Sequence, residues 1–279
     1  MTLKQYEGFC STNLKKQIEK RTLEGYLESL RKLQKSIGDK ELSDYSVVDV
    51  ESFRAKLSIA GLENSTINIH LRSLKALFNR ALTLQLITSN PFKGVKLCKV
   101  HRTAPAYLSP EDLDKLLVHV RKKALRDIYT FLWHTGLRAS ELINLKWSEV
   151  DLNRGWMIIT YSKSGKSRGV PLNSKAVAIL SKFPAAARNG YVFKKKDGSQ
   201  LKRTAISHSF KKAVRRAGLP EGLHLHSTRH STASVGIMKG MDLSTVSKLL
   251  GHSSILITSN YYSHIADSHM AKSIELLAS

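Results

Sequence analysis

The amino-acid sequence predicts a mainly α-helical protein with one small antiparallel β-sheet, divided into two domains. Apolar residues recur at helical spacing through most of the chain up to about residue 86. Two strand-like runs flank a single short turn in the later half. Between these parts, Asn90-Pro91 stops the helical pattern. A chain of 279 residues is long enough for two domains and too short for many.

The N-terminal domain, residues 1–92, is expected to be all helical. Helices are predicted over Arg21–Lys35 and Val48–Leu57, where apolar side chains fall on one face. A longer helix starts at Ser65-Thr66 and carries apolar residues as far as Leu82. Its other face shows polar and basic residues, namely His70, Arg72, Lys75, Asn79 and Arg80. Such a stripe is either a solvated face or a face turned toward DNA.

The second domain, residues 107–279, is expected to combine helices with the small sheet. A basic stretch without periodicity, residues 93–106, is predicted to link the two domains. Ser109 then suits the N-cap of a helix that has Pro110 in its first turn. Strands are predicted over Trp156–Tyr161 and Arg168–Leu172, with Tyr191-Val192-Phe193 as a candidate third strand. Helices are predicted over Ala139–Lys146, Ala205–Ala217, Ser227–Met238, Ser244–Leu250 and His269–Leu277.

The chain carries a large excess of positive charge. Lys and Arg number 45 against 22 for Asp and Glu, which gives a formal net charge of +23. The excess runs from Lys4 to Lys272 rather than being confined to a tail. A positive field of this extent concentrates polyanions, so nucleic acid is the predicted partner. On charge alone, the alternative is a basic ribosomal protein or a merely soluble basic protein.

Other features of the composition argue against several classes of protein. Cys10 and Cys98 are far apart, so neither a disulfide framework nor a zinc site is indicated. No apolar run approaches the length that spans a bilayer. The segment Met1–Lys20 is polar and lacks the apolar core of a signal peptide. We therefore expect a reducing, cytoplasmic location, no membrane association, no metal and no cofactor.

Two arginines occur in segments that suit chemistry at a phosphodiester. Displacement at phosphorus builds negative charge on oxygen atoms, and without a metal the protein must supply fixed cations and hydrogen-bond donors. Guanidinium groups can donate two parallel hydrogen bonds to such oxygens. The candidates are Arg138, in Gly136-Leu137-Arg138, and Arg229, in His226-Ser227-Thr228-Arg229-His230. The alternative for Arg138 is a surface ion pair with Glu141 at i,i+3.

Histidine and lysine side chains extend this set. His226 and Arg229 are three residues apart at a helix start, so they share one face, and the helix N-terminus adds partial positive charge. His252 follows Gly251, which permits a sharp helix exit. A lone histidine there is otherwise a packed or capping residue. The predicted hairpin turn carries a basic cluster, Lys163, Lys166 and Arg168, of a kind that is also typical of a solvated turn.

The segments that carry these residues follow one another in the order found in the tyrosine recombinases. The chain therefore resembles that family, the phage-integrase and Xer-type site-specific recombinases, over nearly its whole length. The resemblance also rests on Leu250-Gly251-His252-Ser253 and Tyr261-Tyr262-Ser263-His264. It implies a helical core-binding domain and a catalytic domain that cleaves and rejoins double-stranded DNA through a 3′-phosphotyrosyl link. It also implies a homotetramer on two DNA sites, in which each protomer passes its C-terminal segment to a neighbour.

The resemblance implies a role for each candidate residue. Arg138 and Arg229 would contact the scissile phosphate, with Glu141 as a buttress. His226 would be a phosphate ligand and acid/base, and His252 would donate to a non-bridging oxygen. Lys163 would be the general acid in the minor groove, with Lys166 as the alternative. His230 would be structural. The residues expected to contact DNA elsewhere are Arg72, Lys75, Lys166 and Arg168.

The nucleophile is one of two adjacent tyrosines. A tyrosine hydroxyl titrates near 10, so it needs nearby cations or a base before it can attack. Counting nine residues from His252, the commonest spacing in the family, gives Tyr261. The family's Tyr-x-His ending instead matches Tyr262-Ser263-His264. The second alignment is favoured, and Tyr262 is the predicted nucleophile.

Two rival functions share some of these features. A type IB topoisomerase-like enzyme would use the same chemistry but religate the same strand. A non-catalytic DNA-binding protein would use the motif residues only to stabilise its fold. Within the recombinases, the sequence suits either the integrase of a mobile element or a Xer-type resolvase of DNA dimers.

Overall fold

The computed structural model describes residues 1–100, 105–161, 165 and 167–262. The chain divides into two compact units, Met1–Arg102 and Thr103–Ser279. The described residues are mainly helical and contain one three-stranded antiparallel sheet, which confirms the predicted fold class. The helix predicted over His269–Leu277 lies outside the described residues.

Helices packed around an apolar core form the first unit. They are α1 (Leu3–Asn13), α2 (Lys20–Ile37), α3 (Val47–Ile59) and α4 (Asn64–Thr83). Helix α2 packs against each of the other three. Capping boxes begin α1 and α3, because the hydroxyls of Thr2 and Ser46 each accept a hydrogen bond from the backbone three residues on. The core includes Leu30, Leu33, Phe53, Leu74 and Phe78.

The polar face of α4 differs from its prediction at one position. Arg72 and Lys75 are exposed, but His70 is buried, with its Nδ1 2.9 Å from the hydroxyl of Ser29 in α2. Chain beyond residue 92 also packs on this unit, since the Asn68 side chain exchanges two hydrogen bonds with the backbone of Cys98. The part of the predicted linker up to residue 100 is therefore attached to the first unit.

The second unit has an apolar core of its own, and most of its helices pack around that core. They are α5 (Pro110–Val118), α6 (Lys123–Thr135), α7 (Ala139–Asn144), α8 (Ser174–Ser181), α9 (Arg203–Arg216), α10 (Ser227–Met238) and α11 (Leu243–Leu250). Residues 255–262 are helical as well. Ser109 is the N-cap of α5, as the sequence predicts, and it forms a capping box with Asp112.

The sheet has the strand order β1 (Val150–Asp151), β2 (Trp156–Ile159) and β3 (Arg168–Pro171), all antiparallel. The prediction of a third strand at residues 191–193 is wrong. Tyr191 forms only an isolated bridge with Lys146, and the third strand is instead the short β1. Residues 162–164 and 166, in the connection from β2 to β3, lie outside the described residues.

Two glycines bring the ends of α6 and α11 close together. Gly136 and Gly251 end these helices in the left-handed region, with φ of 64° and 63°. A Cβ atom at Gly136 would lie 2.6 Å from the Cδ2 atom of Leu250. A Cβ atom at Gly251 would lie 2.6 Å from the Cδ atom of Arg168. Both the backbone conformation and the close approach therefore require glycine at these positions.

Candidate active site

Glu141, in the first turn of α7, holds two arginine side chains. Its side chain is buried, and Oε1 accepts a hydrogen bond from Arg138 Nη1 at 2.7 Å. Arg168 donates to both carboxylate oxygens, at 2.9 and 2.8 Å. Burial alone would raise the pKa of Glu141, but hydrogen bonds and charge from Arg168 and Arg138 outweigh it and lower the pKa. The ionised carboxylate thus fixes the direction of both guanidinium groups.

Arg168 differs from its predicted role as a DNA contact. Its two Nη atoms bind Glu141, and its Nε donates to the carbonyl oxygen of Leu249 at 3.1 Å. Only 12% of the side chain is exposed. Arg168 therefore joins β3 to α7 and to the end of α11. The side chain thus has a structural role within the unit, where three of its five N–H donors are engaged.

Arg229, in the first turn of α10, is a buried cation that is 2% exposed. Its Nη1 donates to the carbonyl oxygen of Gly136 at 2.8 Å, and its Nη2 donates to that of Leu250. In the described part of the chain, no carboxylate lies within ion-pair distance of this guanidinium. Burial, followed by the charge of Arg138, lowers the pKa of Arg229 to about 9, which leaves the group charged at neutral pH.

The three arginines give this part of the unit a net positive charge. Arg138, Arg168 and Arg229 carry three positive charges, and Glu141 carries one negative charge. Arg138 is partly exposed, and its Nη2 lies 3.4 Å from the carbonyl oxygen of Gly251. A positive site with one partly exposed guanidinium is suited to bind an anion such as a phosphate.

His252 follows the glycine that ends α11, as the sequence predicts. Its Nδ1 lies 2.8 Å from the hydroxyl of Thr258, a fully buried residue of the helical segment 255–262. Burial, followed by the charges of Arg229 and Arg138, lowers the pKa of His252 to about 4. Because Nδ1 is engaged with Thr258, the Nε2 atom is the one that remains for another partner.

The rings of His226 and His230 lie side by side at the start of α10. Their centroids are 5.0 Å apart in an edge-to-face arrangement. His226 is exposed at the surface, but the protein around it partly desolvates its ring. This desolvation, followed by the charges of His230 and Arg229, lowers the pKa of His226. The Nδ1 atom of His230 lies 2.5 Å from the hydroxyl of Tyr262. The sequence does not predict this contact.

The two candidate tyrosines lie in different environments. Tyr262 is 1% exposed, and burial raises its pKa, although the nearby charge of Arg229 acts in the opposite direction. Tyr261 is 38% exposed, with its ring centroid 6.2 Å from that of His230. Among the described residues, the hydroxyl of Tyr262 forms a hydrogen bond with His230, whereas the hydroxyl of Tyr261 forms none.

Several of the predicted catalytic residues are brought together in the second unit. Arg138 and Arg229 contact backbone carbonyls at the ends of α11 and α6. Their charges act on His252, and the charge of Arg229 also acts on Tyr262. The ring of His226 packs against that of His230 beside them. Lys163 and Lys166 lie outside the described residues. Arg72 and Lys75 lie on the exposed face of α4, in the first unit.

Thr258 is a contact residue of His252 that no pattern in the sequence indicates. It is six positions after His252, and local spacing alone does not show that the chain turns back between them. The i,i+3 spacing of Arg138 and Glu141 predicts one of the Glu141 contacts, the ion pair between these two residues. That pair is present, but its carboxylate is buried rather than on the surface.

One cleft in the described part of the second unit is separate from this cluster. It has a volume of about 900 Å³ and lies between the start of α6, the chain around residues 193–202 and one side of α9. Its floor is apolar and its rim carries lysines and arginines, but none of the candidate catalytic residues lines it. The candidate active site therefore does not lie in this cleft.

Comparison with known proteins identifies the family. The phage integrase family matches residues 106–269, and the phage integrase SAM-like domain matches residues 2–100. The chain belongs to the phage integrase family. The resemblance stated from the sequence is therefore confirmed.

Relatives and solved structures cover most of the chain. A tyrosine recombinase of Pseudothermotoga lettingae is 31% identical over 248 residues, which is 86% of this chain and 85% of the relative. Tyrosine recombinase XerD of Shewanella oneidensis is 30% identical over 262 residues, 88% of this chain and 83% of the relative. The Tn1549 transposon integrase in complex with transposon right end DNA has a TM-score of 0.81 at 21% identity, covering 100% of both chains.

A lambda integrase dimer bound to a COC′ core site has a TM-score of 0.80 at 20% identity, covering 94% of this chain and 77% of that one. At such identities, the two structural matches show the fold alone. Among the described residues, no three His, Cys, Asp or Glu side chains are placed to hold a metal ion. No helix within the described ranges is long and apolar enough to cross a bilayer.

Proposed function

We propose that this protein is a site-specific recombinase that cleaves and rejoins double-stranded DNA through a 3′-phosphotyrosyl intermediate. The observation that carries the proposal is the environment of Arg229, a buried cation whose described partners are carbonyl oxygens. Burial of a cation without a carboxylate costs several kcal/mol. A phosphate at the partly exposed Arg138 beside it would supply the missing negative charge. Membership of the phage integrase family supports the same chemistry.

In the proposed reaction, the arginines and histidines stabilise the charge that develops at phosphorus. Arg138 and Arg229 donate to the non-bridging oxygens, with Glu141 and Arg168 fixing the position of Arg138. The exposed ring of His226 and the Nε2 atom of His252 donate to the same phosphate. Fixed donors of this kind lose little energy in reorganisation, which is why they are effective in the transition state.

The bond changes balance without an external energy source. The O–H bond of Tyr262 breaks and a base beside the hydroxyl takes its proton, while the tyrosine oxygen bonds to phosphorus. The bond from phosphorus to the 5′ oxygen breaks, and Lys163 gives a proton to that oxygen. Lys166 is the alternative donor. A 5′ hydroxyl of the partner duplex then attacks the phosphotyrosyl link and releases the tyrosine. One phosphodiester is lost and one is formed, so neither ATP nor a redox partner enters the equation.

The proposed assembly is a homotetramer on two DNA sites. Residues 1–92 would form the core-binding domain, residues 93–106 the linker and residues 107–279 the catalytic domain, with the C-terminal segment exchanged between protomers. Arg72, Lys75 and Lys166 would contact DNA. The exposure of the first two and the charge of +23 support this footprint. A reducing cytoplasm is the proposed location, and the free thiols of Cys10 and Cys98 suit it.

The test is to trap the covalent intermediate. Duplexes that tile the genomic DNA flanking the gene, nicked so that the cleaved fragment diffuses away, would be incubated with the protein and separated in detergent. We expect an adduct that Tyr262→Phe abolishes and Tyr261→Phe retains. Loss of the adduct only in Tyr261→Phe would contradict the nucleophile assignment. No adduct on any duplex, with binding intact, would favour a non-catalytic DNA-binding protein.

A second measurement separates recombination from simple relaxation. A plasmid with two copies of the cleaved site would be scored for exchange and for loss of supercoils. We expect exchange products that depend on Tyr262. Relaxation without exchange would instead indicate the type IB topoisomerase-like reaction.

A further inference from the structure

The hydroxyl of Tyr262 has one hydrogen-bond partner in the described residues, and the reaction above assigns that partner no task. The hydroxyl lies 2.5 Å from Nδ1 of His230, in α10. His230 directly follows Arg229, so the residue that faces the phosphate and the residue that contacts the tyrosine are fixed on one helical turn. The attacking oxygen is therefore held at a site built by the same backbone that holds the phosphate-binding cation.

The electrostatic surroundings favour a neutral ring at His230. The charged and titratable groups around the pair are His224, His226, Arg229, His252 and Tyr261. Burial, followed by His224 and Arg229, lowers the pKa of His230 to about 4. A neutral imidazole that accepts at Nδ1 carries its proton on Nε2. The Tyr262 hydroxyl then donates to Nδ1.

Tyr262 needs such an acceptor because it is protonated at neutral pH. Burial raises its pKa above the usual value near 10. As the oxygen bonds to phosphorus, its proton must leave, and bulk water has little access to a side chain that is 1% exposed. Among the described residues, His226 has no hydrogen bond to this hydroxyl, which leaves His230 as the group in position.

We propose that His230 is the proton acceptor for the attacking tyrosine and returns the same proton when the strand is rejoined. The inference rests on the proposed function, with Tyr262 as the nucleophile. In cleavage, the O–H bond of Tyr262 breaks, the proton moves to Nδ1 of His230 and the oxygen–phosphorus bond forms. In rejoining, the imidazolium gives the proton back to the departing tyrosine oxygen. The lysine at the 5′ oxygen acts at the opposite end of the same displacement.

The first experiment measures single-turnover cleavage of the nicked duplex between pH 6 and 9. His230→Ala removes the acceptor, and His230→Asn keeps an oxygen near the Nδ1 position that accepts a hydrogen bond but takes up no proton. We expect both variants to cleave about 10²–10⁴-fold more slowly at pH 7, with rates that rise with pH. Imidazole in solution should partly restore His230→Ala. His208→Ala, an exposed histidine of α9 that does not contact Tyr262, should cleave at the wild-type rate.

The second experiment separates the two ends of the displacement. A duplex with sulfur in place of the bridging 5′ oxygen has a leaving group that departs as a thiolate, since thiols ionise near pH 8.5. This substrate should restore cleavage by Lys163→Ala, or by Lys166→Ala if that lysine is the acid. It should leave the deficit of His230→Ala unchanged, because the tyrosine proton still has no acceptor.

The possible results distinguish this inference from the proposed function. Wild-type cleavage by His230→Asn would overturn proton transfer and leave only a positioning contact. A loss in both variants that is equal at every pH and insensitive to imidazole would also overturn it. If Tyr262→Phe still forms the adduct, the nucleophile assignment itself fails. Thermal unfolding and DNA binding of each variant would show that the protein is folded.

Discussion

The contact set of Glu141 gives a quantitative prediction for Glu141→Gln. The substitution keeps the shape of the side chain but replaces one carboxylate oxygen with an NH₂ group. Each of the two oxygens accepts two hydrogen bonds, from Arg138 and Arg168. The NH₂ group of glutamine would point at N–H donors of Arg138 and Arg168, which then lose their acceptor. No negative charge would remain to offset the three neighbouring arginines.

The expected cost follows from removing one partner of a buried ion pair. Such changes destabilise by about 3–5 kcal/mol, because the remaining charge is left uncompensated. For a unit of this size, 1 kcal/mol corresponds to about 2–4 °C in Tm, so the transition of the second unit should fall by about 6–20 °C. The first unit has a separate core and should be unaffected.

The assay uses the distribution of tryptophan. All three tryptophans, Trp133, Trp147 and Trp156, lie in the second unit, so their fluorescence follows that unit alone during denaturation. The matched control is Glu221→Gln, the same substitution at an exposed position of the same unit, which should change stability by less than about 0.5 kcal/mol. If Glu141→Gln stays within 1 kcal/mol of wild type, the carboxylate does not hold the arginines as argued.

Three further predictions concern the glycine, hydroxyl and histidine contacts. Gly136→Ala should destabilise the second unit by about 2–4 kcal/mol, because the left-handed backbone is strained and the added methyl group clashes with Leu250. Gly155→Ala is the control, with φ of 61° but its nearest atom at 3.6 Å, and should cost only the backbone strain of about 1–2 kcal/mol. Equal losses would exclude the clash. Thr258→Val should leave His252 without its partner and slow cleavage roughly tenfold with DNA binding retained, a result that unchanged rates would contradict. Finally, the free energy of unfolding should fall as pH drops from about 6.5 to 4, because the unfolded chain binds protons at His230 and His252 before the folded chain does. Replacing both with Asn should reduce that slope, with the contribution of His226 remaining, and parallel curves would argue against it.

Local patterns in the sequence predict the elements whose signals are local. The helix Ser227–Met238 has the predicted bounds, and Ser109 caps α5 as expected. Gly251 ends α11 in the left-handed conformation that its position after Leu250 indicates. In each case a cap, a periodic apolar face or a glycine decides the conformation within a few residues.

The errors occur where a distant contact decides the outcome. The two residues of β1 are too few to show a period, so pairing with β2 defines the strand. His70 reads as polar surface, but Ser29 provides a buried partner from another helix. Arg168 reads as part of a basic turn, whereas its partner Glu141 lies 27 positions earlier. Sequence spacing carries no information on such pairs.

The way Arg229 is held explains how the fold can keep a buried positive charge available. Its two donors reach the carbonyl oxygens of Gly136 and Leu250, at the C-terminal ends of α6 and α11. These ends have carbonyls without intrahelical partners and carry partial negative charge from the helix dipole. They therefore solvate the guanidinium without neutralising its formal charge, as a carboxylate would. Because the two glycines allow these helix ends to converge on one side chain, the packing that stabilises the unit also preserves its attraction for a phosphate.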